Sequence, residues 1–78
     1  MKVGQLVKSK AGRDAGMVFL VREILDKNYV SIVDGKSRKL ANPKRKKIKH
    51  LMTYKDIIDI SKADLNDSYI RKSLKNYS

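Results

Sequence analysis

The chain has 78 residues, with 19 Lys and Arg against 8 Asp and Glu, a formal net charge of +11 at pH 7, and no cysteine. That length supports one small domain without a deep substrate cavity, and the missing cysteines exclude a disulfide framework or a thiolate metal site. No apolar run approaches the roughly 20 residues that cross a bilayer, and Met1 to Gln5 has no signal-peptide core, so the expectation is a soluble, cytoplasmic protein with no membrane partner.

Gln5 to Lys10 mixes apolar Leu6 and Val7 with Lys8-Ser9-Lys10 and reads as a strand. Ala11-Gly12-Arg13-Asp14-Ala15-Gly16 reads as a turn, two glycines flanking a charged pair. Met17 to Leu25 is too long and apolar for a strand with one buried face; a bent strand that meets core on both faces accounts for it. Asp26-Lys27-Asn28 is a polar turn, Tyr29 to Val33 the clearest strand by β-branched content, and Asp34-Gly35 another turn signal.

Lys36 to Lys47 reads as a basic loop interrupted at Asn42-Pro43, with Ile48 to Met52 as one more short strand. Thr53 has the look of a helix N-cap, with Asp56 three residues on, and Tyr54 to Ser61 carries Ile57, Ile58 and Ile60 at spacings that suit one or two helical turns. Asp64 is a second N-cap candidate. Leu65, Tyr69, Ile70, Leu74 and Tyr77 form an apolar stripe on a helix of about three turns, and Arg71, Lys72 and Lys75 sit near its end, where cations favour the helix dipole. Short strands joined by glycine turns predict a mostly β chain, a closed or nearly closed sheet, with a C-terminal helix packed against it. The expected division is residues 1–53 for the barrel, including a basic loop 36–49, and 54–78 for the helical extension.

The charge is uneven. Residues 1–50 carry 14 Lys/Arg and 4 Asp/Glu, whereas residues 51–78 carry 5 and 4. The peak is Pro43-Lys44-Arg45-Lys46-Lys47-Ile48-Lys49-His50. Such a cluster repels itself until a polyanion neutralises it, and nucleic acid releases counterions when it does so. A solvated face serving solubility alone, or a nuclear-localisation string at Pro43 to Lys47, is the plainer reading of the same residues. Lys44, Arg45, Lys46, Lys47 and Lys49 are the expected principal phosphate ligands. Lys10, Arg13, Lys36, Arg38 and Lys39 lie in or beside turns and extend the same surface if the Gly12–Gly16 turn folds near the basic run. Arg13-Asp14 also reads as a surface ion pair of little weight. His50, the one histidine, is a poor metal candidate without a second His or any Cys; it reads as an RNA contact or as a packed strand residue. Aromatic residues interleaved with cations would mark a single-strand binder, and the basic run contains none; Phe19 and Tyr69 read as core. Structured RNA read through phosphates and shape is the expectation that follows.

Gly4-Gln5-Leu6-Val7, then Lys10-Ala11-Gly12-Arg13-Asp14-Ala15-Gly16, then Val18-Phe19-Leu20-Val21 resemble the KOW motif of small SH3-like β-barrels in ribosomal proteins and transcription elongation factors. Val33-Asp34-Gly35, Arg38 and Lys49-His50-Leu51-Met52-Thr53 extend the likeness to the ribosomal-protein family of the fourteen-e type in archaeal and eukaryotic large subunits. The resemblance covers roughly residues 3–53. It implies an SH3-like barrel and binding to RNA, ribosomal RNA first, with ribosomal proteins as further partners and a monomer when free. A second reading is a docking adaptor in transcription or translation that uses Ile57, Ile58, Tyr69 and Leu74. No catalytic set is evident: Asp56 and Asp59 have no partner that would bias either, Asp64 and Asp67 serve as caps, and no Gly-Lys-Ser/Thr follows Gly12 and Gly16. Neither an enzyme activity nor a cofactor is expected.

Overall fold

The computed structural model describes residues 1–61 and 64–77. Five strands are present among the described residues: β1 (Gln5–Ser9), β2 (Val18–Ile24), β3 (Tyr29–Val33), β4 (Lys44–Lys47) and β5 (Leu51–Ile57). They form one antiparallel sheet in the order β4-β3-β2-β1-β5. A single 3-10 turn, Ile48–His50, joins the two edge strands β4 and β5. It is tied to both neighbours, because Ile48 N donates to Asn28 O and Lys10 N donates to His50 O. The sheet therefore curls towards closure. The helix α1 (Asp67–Leu74) and a 3-10 turn, Lys75–Tyr77, complete the described fold. The architecture is the expected one, mostly β with a C-terminal helix.

The sheet is buried on both faces. Val7, Phe19, Val21, Val30, Ile32 and Leu51 fill the inside of the curl, with Ile48 packed against them. Leu6, Val18, Leu20 and Val33 point the other way and meet Ile60, Ile70 and Leu74. This explains the apolar run of β2: Val18 to Val21 are all buried because alternate residues face two different cores. Beyond it the register with β3 shifts between Val21 and Glu23, a bulge of the kind that bends a strand.

Four expected elements differ. Ile48 to Met52 is not one short strand: Ile48–His50 is the 3-10 turn, and only Leu51 and Met52 belong to β5. Lys44–Lys47 is a strand, not part of a loop, and pairs with β3 from Tyr29↔Lys47 to Ile32↔Lys44. Thr53 is not a helix cap: it lies within β5 and pairs with Val7, so the expected boundary at 53/54 falls inside a strand. β1 needs a partner on its second edge, and the β-branched residues of 51–57 supply it. The cap of α1 is Asn66 rather than Asp64; its side chain accepts from Tyr69 N, and Asp67 opens the helix. Ile70 and Leu74 of the apolar stripe are buried, but Tyr69 is only half-buried and its hydroxyl donates to Asp59 O.

Candidate nucleic-acid interface

A strand sends successive side chains to opposite faces, and this divides the basic run. Lys44 and Lys46 turn towards the curled interior, where their neighbours across the strands are Ile32 and Val30. Both reach Asp14, which the turn after β1 brings to the mouth of the barrel. Lys46 Nζ lies 2.8 Å from Asp14 Oδ1 and 2.9 Å from Ala11 O. Lys44 Nζ lies 2.9 Å from Asp14 Oδ2. Ser9 Oγ donates to the same carboxylate at 2.7 Å. Lys46 is only 8% exposed, so its charge is engaged inside the fold. Burial acts to raise the pKa of Asp14, but hydrogen bonds from Lys46, Lys44 and Ser9 and the attraction of Lys46 outweigh it, holding the carboxyl well below the usual range. Asp14 is thus a buried anchor, not the surface partner of Arg13.

Arg45 and Lys47 face outward with Tyr29. The Arg45 guanidinium carbon sits 3.8 Å from the centre of the Tyr29 ring, and Lys47 Nζ lies 5.9 Å from it. An arginine at that distance gains both stacking and cation–π attraction. Sequence reasoning found no aromatic among the cations because Tyr29 precedes Arg45 by 16 positions. The available signal was β pairing, since a strand at 29–33 needs an antiparallel partner. Lys49 is exposed on the 3-10 turn beside this group, and His50 is half-buried in the same turn. Lys27, absent from the expected set, joins Lys49 and Lys47 around a groove of about 470 Å³.

The other expected ligands stand on two loops. Lys10 and Arg13 are exposed on the turn held by Asp14, and the bond from Lys10 N to His50 O sets that turn beside the basic run. Lys36, Arg38 and Lys39 lie on the loop after β3. Asp34 organises that loop: it is buried and accepts from Lys36 N, Arg38 N and Ser37 Oγ. Burial acts to raise its pKa, and these donors lower it further than burial raises it. The loop also docks on α1, because Leu40 N donates to Asp67 Oδ1 at 2.8 Å and Arg71 donates to Gly35 O at 2.7 Å. Lys36 consequently stands with Arg71 and Lys75 around a second hollow of about 340 Å³. Arg71 and Lys75 are cations that the sequence reading used only for the helix dipole.

The residues expected for protein docking are mostly occupied. Leu74 is buried, Ile58 packs on the same core, and Tyr69 bonds to Asp59; Ile57 alone of the four is well exposed. Among the described residues no helix is long and apolar enough to cross a membrane, and no group of three or more His, Cys, Asp or Glu could hold a metal.

No protein-family model matches the chain. Among curated proteins it is 30% identical over 71 residues to the large ribosomal subunit protein eL14 of Staphylothermus marinus, an alignment that covers 91% of this chain and 74% of the relative.

Proposed function

The chain belongs to the eL14 family of large ribosomal subunit proteins, and from that premise we propose that it binds structured ribosomal RNA through phosphate contacts, as a subunit or close associate of the ribosome. The observation that carries the reading is the outward cationic group on β4 and the turn after it. Arg45, Lys47 and Lys49 make no ion pair with a carboxylate among the described residues. Arg45 and Lys47 lie over the Tyr29 ring, which is opposite Lys47 in the strand pairing. Guanidinium and ammonium groups held so by a rigid strand meet phosphate oxygens without losing much further freedom.

In this reading Arg45, Lys47 and Lys49 contribute most of the affinity. Lys10, Arg13, Lys36, Arg38 and Lys39 flank them on the two loops, with His50 at the junction. Lys44 and Lys46 act through Asp14, by holding the Gly12–Gly16 turn where Arg13 can reach the same backbone. The test is binding to a large-subunit ribosomal RNA fragment across a salt series. Log affinity is expected to fall linearly with log salt, by about 0.7 to 0.9 for each phosphate neutralised. A flat salt series, or in-cell crosslinking that recovers no large-subunit ribosomal RNA, overturns the reading.

A further inference from the structure

We infer that the groove between the β2–β3 turn and the 3-10 turn after β4 is a subsite for one unpaired nucleotide of the bound RNA, with the base against Tyr29. The inference rests on the RNA-binding reading and adds to it a place where the RNA must leave the duplex form.

The lining is Lys27, Asn28, Tyr29, Lys47, Ile48 and Lys49. A volume of about 470 Å³ lies in the range of small-molecule sites, roughly 300–1,000 Å³, and a duplex cannot enter it. Its walls are fixed rather than adaptable. Ile48 N donates to Asn28 O at 2.9 Å, which clamps the two turns together. Asp26 Oδ1 accepts from both Asn28 N and Tyr29 N, at 2.7 and 2.8 Å, so the β2–β3 turn is itself closed by a side chain.

The chemistry is that of a nucleotide rather than of a bare anion. Tyr29 and Ile48 give the apolar surface that a base plane seeks. The Asn28 carboxamide makes no hydrogen bond within the described residues, and it offers the paired donor and acceptor that read a base edge. Lys27, Lys47 and Lys49 surround these with positive charge for the flanking phosphates. Arg45 lies 3.8 Å from the Tyr29 ring centre without itself lining the groove, and it steadies the ring as a platform. Aromatic rings in such surroundings stack unpaired bases without strong preference for sequence.

The experiment compares two RNA hairpins of the same stem, one perfectly paired and one with a single bulged nucleotide. The intact protein is expected to bind the bulged hairpin more tightly. Tyr29→Ala should weaken binding to the bulged hairpin about tenfold more than binding to the perfect stem, the scale of one lost base stack, because the loss of support for Arg45 and Lys47 is common to both hairpins, and it should leave both salt slopes unchanged. Tyr29→Trp should keep the preference, and its fluorescence should be quenched by the bulged hairpin alone, which also shows that the site remains folded. Equal binding of the two hairpins by the intact protein, or an unchanged preference in Tyr29→Ala, overturns the subsite while leaving phosphate binding in place. Failure to bind either hairpin overturns both readings.

Discussion

Lys46 and Asp14 lie 32 positions apart and meet with Nζ 2.8 Å from Oδ1, inside the mouth of the barrel. The residue at the centre of the most cationic run is therefore an internal strut. Its partner is an acid from the glycine turn that precedes β2. A buried ammonium needs such a partner, because leaving it unpaired away from water is costly.

Removing the acid alone should accordingly harm the fold more than removing the pair. Asp14→Ala is expected to destabilise by about 3 kcal/mol, since it strands Lys46 without a counter-charge. The double change Asp14→Ala with Lys46→Met should recover part of that loss. Urea denaturation of the two variants checks this; a double variant weaker than the single would show that the ion pair itself holds the turn.

Acid should act through the same group. Asp14 and Asp34 both have folded pKa values below the ordinary carboxylate value, which in the unfolded chain is about 3.9. As pH falls below that value, the unfolded chain takes up protons that the folded chain does not, so stability is lost. The denaturation midpoint is expected to be level from about pH 8 to about pH 5 and to fall below about pH 4. Asp14→Asn should show a shallower acid limb than the parent chain. An equally steep limb in that variant would assign the acid sensitivity elsewhere.

On the proposed phosphate contacts, the division of the basic strand predicts a sharp contrast between its variants. Arg45→Ser, Lys47→Ser and Lys49→Ser should each lower the salt slope by about 0.7 to 0.9. Lys46→Met should leave the slope unchanged in the folded protein, because its ammonium lies against Asp14 and Ala11. Four equal reductions would mean that the run acts as a flexible cationic segment, without regard to strand faces.

Gly35 joins the loop after β3 to the helix. Its φ is +79°, and a Cβ there would strike the Asp67 carbonyl and lie 3.1 Å from Arg71 N. Gly35→Ala is expected to cost about 2 kcal/mol, combining backbone strain with the clash. Gly16, at φ +89° with nothing within 4 Å, is the comparison: Gly16→Ala should cost about 1 kcal/mol from the backbone alone. Thermal denaturation of both, with the helical signal followed at the same time, separates the two contributions.

Local information in the chain was enough for much of this. Val and Ile content marked β3, glycine pairs marked the turns, and the stripe at Ile70 and Leu74 marked the helix, because each depends on residues a few positions apart. The excess of cations made a polyanion the expected partner, since net charge does not depend on folding. Pairing between distant segments decided the rest. β1 drew residues 51–57 into a strand where Ile57, Ile58 and Ile60 alone suit a helix equally well. The two-residue period of β4 then sorted one continuous basic string into Lys44 and Lys46 against Asp14, and Arg45 and Lys47 beside Tyr29. Which cations stay available to a ligand is settled by what the other strands place opposite them, and no stretch of neighbouring residues carries that information.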